Sequence, residues 1–368
     1  MSAPAGTTPP GPVLGVVGGG QLGRMLALAA HPLGVRCVVV EPSPSPPAAA
    51  AAEVLAAPYG DAAALAELGR RAAAVTVELE EVDTDALAAM EQSTGVPVRP
   101  SVASIRTCQD RLLEKELARS LGLATAPFRD VTSRDDLAAL GFPAVLKLRR
   151  GGFDGRGQVV LHGADDVEAA WAWAAARPAL VEGWVPFRRE VSVLVARSAT
   201  GEVRSWSPVE NVHVDGQLAE SRAPADVPGA EELGRRLVEG LDHVGVLAVE
   251  LFDTAEGLVV NELAPRVHNS GHWTIEGAQT SQFEQHVRAV LGWPLGSTAP
   301  TGHSAMVNLL GTVPPVEAVL AVPGAHLHLY GKAERPGRKL GHVTLVAPTP
   351  AELEARRASL AEALRRAG

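Results

Sequence analysis

The N-terminal part of the chain alternates two kinds of apolar pattern. Short, mostly apolar runs occupy 13–17, 35–40 and 75–79, and stretches with a helical pattern occupy 21–30, 61–72 and 84–92. Their alternation, with short connections, predicts strands of a parallel sheet covered by helices. Asp61 stands where a helix cap is expected, and 42–47 is a proline-rich loop. A long helical pattern over 108–121 ends at Gly122. From 142 onward strands come in hairpins: 143–149 with 158–162, 190–196 with 203–208, and 246–252 with 258–263. Helices over 165–176, 230–241 and 281–291 separate them, and the chain closes with strands at 304–310, 325–330 and 341–346 and a helix at 350–367. The fold class is therefore α/β followed by α+β.

Composition narrows the function classes. With 368 residues, 46% of them hydrophobic and 20% charged, the chain supports two or three folded domains. The net charge of −9 argues against a broad surface for nucleic acid, so any basic site must be local. Cys37 and Cys108 form no C-x-x-C pair, which disfavours a disulfide framework or structural zinc and fits a reducing cytoplasm. No apolar run reaches the roughly 18 residues of a membrane span. Residues 1–12, rich in Pro, Gly, Ser and Thr, read as a disordered tail.

Two glycine-rich turns stand out. Gly18-Gly19-Gly20-Gln21-Leu22-Gly23 follows a strand and opens a helix, and Glu41 ends the next strand. That pattern admits a dinucleotide site, a tight packing turn, or a helix N-terminus holding another phosphate. The second turn follows a strand bearing Lys147, which shares a face with Val145 and Arg149. Gly151, Gly152, Gly155 and Gly157 allow backbone N–H groups to converge on an anion. No lysine and hydroxyl follow the last glycine, so this is a hairpin lid and not a strand-to-helix phosphate loop. A mobile cover over a lysine-bearing strand suits a triphosphate; edge protection by Lys147 is the plainer alternative.

Glu250 and Glu262 flank a turn, and a hairpin centred on Glu256 would set them opposite each other. Facing like charges destabilise a ladder unless a cation lies between them, and oxygen-only ligands point to Mg²⁺ or Mn²⁺. Asn261 precedes Glu262, and the polar stretch 264–273 includes Arg266, suited to a planar carboxylate or bicarbonate. A compact basic cluster, Lys332, Arg335, Arg338 and Lys339, reads either as a phosphate pocket or as a solvated face.

Together, G-G-G-Q-L-G-R-M (18–25), Q-D-R (109–111), G-G-F-D-G-R-G-Q (151–158), N-E-L-A-P-R-V-H-N-S-G-H-W-T (261–274) and R-P-G-R-K-L-G-H (335–342) resemble the N5-carboxyaminoimidazole ribonucleotide synthetases, ATP-grasp enzymes of purine biosynthesis. The likeness spans about 13–346. It implies an ATP-grasp fold: a dinucleotide-binding-like substrate domain over 13–107, an ATP-grasp domain over 108–298 and a small C-terminal domain over 299–368. It implies carboxylation of 5-aminoimidazole ribonucleotide by bicarbonate, with ATP as cosubstrate and carboxyphosphate as intermediate.

The resemblance also implies site residues. Arg111 and Lys147 would meet ATP phosphates under a lid of Gly152, Phe153, Asp154, Gly155, Arg156, Gly157 and Gln158. Glu182, Gly183, Trp184 and Val185 would take adenine, Glu190 the ribose, and His213 and Asn261 would lie near the nucleotide, with Glu250 and Glu262 on the metal. Arg266, His268, Asn269 and Lys332 would serve the chemistry. Gly20, Gln21, Leu22, Glu80, Asp154, Lys332, Arg338 and Lys339 would hold the ribonucleotide. Departures from the family pattern are small: Val77 precedes the acidic pair where relatives often carry Tyr, and Phe153 replaces a frequent Tyr. The partners implied are small molecules, with neither nucleic acid nor membrane, and a homodimer stays open. Another ATP-grasp ligase, an NAD-dependent oxidoreductase built on Gly18–Gly23, and a non-catalytic nucleotide sensor are the competing classes.

Overall fold

The computed structural model of the protein describes residues 11–152, 157–174 and 177–367. The chain separates into two compact units, Met1–Arg99 and Pro100–Gly368. The first unit is built from β1 (Val13–Val17), α1 (Gln21–Ala30), β2 (Arg36–Glu41), β3 (Glu53–Ala56), α2 (Ala62–Arg71), β4 (Ala74–Val77) and α3 (Thr84–Thr94). Its strands form a parallel sheet in the order β3-β2-β1-β4. Every residue of β1 and β4 is buried, as strands covered on both faces require. Asp61 and Asp83 cap α2 and α3 by accepting from the first-turn N–H groups. Sequence pattern misses β3, because its four residues are only partly buried and carry no uninterrupted apolar run.

The second unit opens with α4 (Val102–Cys108) and α5 (Arg111–Ser120), where the pattern predicts one helix over 108–121. The break lies at Asp110, whose carboxylate accepts from Leu112 N–H at 3.0 Å and starts α5 afresh. Next come β5 (Phe128–Val131), β6 (Ala144–Leu148), β7 (Gln158–Leu161), α6 (Val167–Ala174) and β8 (Ala179–Gly183), with an antiparallel sheet in the order β5-β8-β6-β7. Residues 175–176, part of the predicted helix 165–176, lie outside the described residues.

The larger sheet collects β9 (Arg189–Arg197), β10 (Val203–Ser205), β11 (Val209–Val214), β12 (Gln217–Ala223), β13 (Gly245–Asp253), β14 (Leu258–Ala264), β15 (His303–Leu310), β16 (Ala325–Leu329) and β17 (Lys339–Ala347). Its order is β14-β13-β9-β11-β12-β15-β17-β16, with β10 on β9, so the C-terminal strands continue the same sheet. The helices of this part are α7 (Ala230–Gly240), α8 (Thr274–Gly277), α9 (Gln282–Leu291), α10 (Val316–Leu320) and α11 (Pro350–Ala367). The β11–β12 hairpin is absent from the sequence reading. Its signal is the Asp215-Gly216 turn, where both residues take positive φ.

One alternation on this sheet positions the site. Val191, Val193 and Val195 on β9 and Leu247, Val249 and Leu251 on β13 form a core with Leu233, Leu237 and Val238 of α7. Strand side chains alternate between faces, so Ser192 and Glu250, which are register partners, project from the opposite face.

Candidate active site

Glu250 on β13 and Glu262 on β14 are register partners. The hairpin reaches this pairing through an irregularity. Asp253 pairs with Leu258 and Leu251 with Val260, which alone would set Glu250 against Asn261; a register shift after Glu250 moves the partner to Glu262. The bulge brings the carboxylates together. Burial first, and then Glu262, push Glu250 up to about 7.

Cations gather beside this pair. Arg111, in the first turn of α5, donates to the carbonyls of Leu148 (3.1 Å) and Gly152 (2.9 Å) and lies 3.4 Å from Glu262. Lys147 on β6 lies 3.0 Å from Glu182 and 3.4 Å from the Asn261 amide oxygen. On β6 Ala144, Leu146 and Leu148 are buried in the core, leaving Lys147 on the opposite face. Glu182 on β8 also meets Lys115 at 3.1 Å, where the two side chains are only 4% and 2% exposed. Burial would raise the Glu182 pKa, but Lys147 and Lys115 outweigh it and hold the carboxyl below its usual range. Sequence reasoning misses Lys115 and its neighbour Glu114, which accepts from Leu263 N–H at 3.0 Å. Both are buried charges on an amphipathic helix, a signal visible only once the burying face is known.

Past β8, Trp184 is exposed and Val185 partly buried, while Gly183 N–H is tied to Pro127. Glu190 lies 3.2 Å from His213 across β9 and β11, and this contact outweighs burial to raise the His213 pKa. Gly157 precedes the return strand, and Gln158 opens it, paired to Lys147. Phe153, Asp154, Gly155 and Arg156 lie outside the described residues.

After β14, His268 Nε2 lies 3.4 Å from Glu250. Burial first, then Arg266, keep this imidazole neutral with its pKa well below the ordinary value. Arg266 donates to the Val267 carbonyl at 2.9 Å. Asn269 exchanges hydrogen bonds with Asn308 at 3.1 and 2.6 Å, so most of its amide is committed inside the chain. In the basic cluster, Lys332 lies 5.8 Å from the Tyr330 ring and Arg338 donates to the Ala333 carbonyl. Lys339 acts electrostatically on Glu250, His213 and His268. Among the described residues no group of three or more His, Cys, Asp or Glu is placed to hold a metal ion.

In the first unit, the glycine turn is closed by carboxylates of the chain. Gly20 and Gly23 N–H groups donate to Glu78, and Gly19 N–H donates to Glu41 at 2.9 Å. Glu41 also accepts from Tyr59, so the acid that a dinucleotide site would give to a ribose is engaged. Gly18 has φ +106, which glycine alone adopts readily. Leu22 is buried, so it can offer a ligand only its backbone. Glu80 is partly buried and its carbonyl accepts from Val82 N–H. Among the described residues no helix is long and apolar enough to cross a membrane.

A parallel-sheet unit followed by two antiparallel sheets, with paired carboxylates beside Arg111 and Lys147, defines an ATP-grasp ligase. The ATP-grasp domain profile matches residues 116–283, the ribonucleotide synthetase preATP-grasp domain 12–109, and the phosphoribosylaminoimidazole carboxylase C-terminal domain 304–356. The chain is 49% identical to an N5-carboxyaminoimidazole ribonucleotide synthase of Pseudomonas aeruginosa, over 93% of this chain and 97% of that protein. It is 47% identical to the N5-carboxyaminoimidazole ribonucleotide synthetase of Thermus thermophilus, with a TM-score of 0.89 over 95% of this chain and 98% of that one. An N5-carboxyaminoimidazole synthase from Aspergillus clavatus, solved with ADP and 5-aminoimidazole ribonucleotide, is 33% identical, with a TM-score of 0.88 over 97% and 99% of the two chains. The protein belongs to the N5-carboxyaminoimidazole ribonucleotide synthase family.

Proposed function

We propose that the protein carboxylates 5-aminoimidazole ribonucleotide with bicarbonate at the expense of ATP, forming N5-carboxyaminoimidazole ribonucleotide, ADP and phosphate through carboxyphosphate. The observation that carries this reading is the Glu250–Glu262 pair beside Arg111 and Lys147, in a chain of this family. Lys147, steadied by Glu182 and Asn261, presents its ammonium group to ATP phosphate with Arg111. Glu182, Gly183, Trp184 and Val185 receive adenine through backbone groups and packing, Glu190 receives the ribose, and His213 lies near the nucleotide.

The two carboxylates fit Mg²⁺ or Mn²⁺: they face each other, and Glu250, buried against Glu262, resists ionisation. Two carboxylates are too few to hold an ion alone, so phosphate oxygens would complete the ligand set. When bound, the metal supplies neutralisation of phosphate charge. Arg266, His268, Asn269 and Lys332 orient bicarbonate and carboxyphosphate. Contacts to the ribonucleotide are assigned to Gly20, Gln21, Leu22 and Glu80 in the first unit, and to Asp154, Lys332, Arg338 and Lys339 in the second. A cytoplasmic location and a homodimer belong to the same reading; light scattering on the purified protein checks the second.

The test is ADP release on addition of 5-aminoimidazole ribonucleotide, with and without bicarbonate. Bicarbonate-dependent release with a carboxylated product is expected. Release indifferent to bicarbonate would place the protein with another ATP-grasp ligase.

A further inference from the structure

A line of buried polar side chains crosses adjacent strands of the larger sheet and ends on His268. Ser221 Oγ on β12 donates to Asn211 Oδ1 on β11 at 2.8 Å. Asn211 Nδ2 donates to Ser192 Oγ on β9 at 3.0 Å, and Ser192 Oγ donates to Ser270 Oγ at 2.8 Å. Ser270 Oγ lies 2.9 Å from His268 Nδ1. Ser221, Ser192 and Ser270 are fully buried and Asn211 is 6% exposed. On the other side of the ring, His268 Nε2 faces Glu250 at 3.4 Å.

The backbone decides the direction of this line. Ser270 N–H, which can only donate, reaches His268 Nδ1 at 3.3 Å, so Nδ1 is an acceptor. The Ser270 hydroxyl must then donate to the same nitrogen, which obliges it to accept from Ser192. Ser192 in turn accepts from the Asn211 amide, whose oxygen accepts from Ser221. Each hydroxyl has one proton and each proton is used once. The reverse polarity would need a proton on Nδ1, pointing at the Ser270 N–H. A neutral imidazole with Nδ1 as acceptor carries its proton on Nε2. Gln282 holds the backbone at this point, accepting from His268 N–H at 2.8 Å and donating to its carbonyl at 2.7 Å.

We propose that Ser270, Ser192, Asn211 and Ser221 are positioning residues that lock His268 in the Nε2–H tautomer, so that its proton faces the site. The inference rests on the reading of His268 as a residue of the carboxylation site. The physical need is plain: the ligands of that site are anions, and the other tautomer would aim a lone pair at them and at Glu250. A buried, fully paired line of hydrogen bonds imposes one state on a ring that otherwise exchanges between two.

The test uses ¹⁵N-histidine protein. The wild type is expected to show His268 with an unprotonated Nδ1 and a protonated Nε2. Ser270→Ala removes the hydroxyl at Nδ1, and the two ring nitrogens should move toward the averaged positions of exchanging tautomers. Asn211→Asp keeps the shape but turns the donor facing Ser192 into an acceptor. It should disturb the same two resonances from a distance and serves as the second probe if Ser270→Ala folds poorly. Bicarbonate-dependent kcat is expected to fall roughly 10-fold in both variants with the KM for ATP unchanged, and Ser270→Thr should recover much of it. A wild-type spectrum already showing Nδ1–H, or wild-type tautomers in both variants, overturns the relay. Altered tautomers with undiminished turnover overturn its service to the reaction. Full turnover in His268→Gln would sink the placement of His268 in the site and leave the spectroscopic result standing.

Discussion

Two glycine-rich turns follow apolar strands in this protein, and the chain completes them differently. At Gly18–Gly23 the backbone donors of Gly19, Gly20 and Gly23 hold Glu41 and Glu78, carboxylates from the same unit. Around the second turn, the described residues gather cations instead: Arg111 on the Gly152 carbonyl, and Lys147 and Lys115 on Glu182. The first turn has its anions built in. The second leaves Glu250 and Glu262 facing each other, with burial first and then Glu262 pushing Glu250 up to about 7. Glycine content alone therefore does not tell a turn whose backbone donors the chain itself fills from one set among cations. What tells them apart is which side chains the rest of the fold delivers to the backbone donors and to the neighbouring strands.

The sharpest way to break this comparison is at Lys115. Lys115→Met leaves Glu182 buried with one lysine in place of two, and unfolding in urea should show a loss of about 3 kcal/mol. An unchanged midpoint would mean that Lys147 alone satisfies Glu182. Next in size is the carboxylate pair. Glu262→Gln keeps the shape and removes one charge, and turnover at saturating Mg²⁺ should fall at least ~100-fold. Near-normal turnover would remove Glu262 from the metal reading.

The first turn offers a smaller effect. A Cβ at Gly20 would sit 2.6 Å from Glu78 Oε1, so Gly20→Ala must shift that carboxylate. With a charge-assisted hydrogen bond lost, the KM for 5-aminoimidazole ribonucleotide should rise roughly 10-fold while the KM for ATP stays near its wild-type value. If the ATP value moves and the ribonucleotide value does not, the roles given to the two turns are exchanged.

The carboxylate pair should also show itself in the pH dependence of stability. Glu250 has its folded pKa raised from 4.5 to about 7, so the stability tied to its neutral form is full below pH 4.5 and is lost as pH rises through 7. In metal-free protein that loss should be about 3 kcal/mol, and Glu250→Gln should flatten it. A wild-type profile already flat between pH 4.5 and 7 would contradict the frustrated pair.

The sequence by itself determined the elements with strong local signals. The buried runs of β1 and β4, the capped helix after Asp61, and the three hairpins with their intervening helices follow from burial period and turn chemistry, which are local. It also determined the candidate set Lys147, Glu250, Glu262 and Arg266–Asn269, because unusual residue types on apolar strands and in one polar stretch are legible without coordinates. Only the tertiary structure decided what those residues touch. The break at Asp110 depends on a side chain folding back to cap α5, competing with a helical pattern that runs straight through it. The pairing of Glu250 with Glu262 depends on a bulge, and a one-residue shift cannot be read from alternation. The occupation of the first glycine turn by Glu78, the burial of Lys115 against Glu182, and the line from Ser221 to His268 join residues far apart in sequence. Contacts of that kind are set by sheet order and register, where burial, not local propensity, selects the partner.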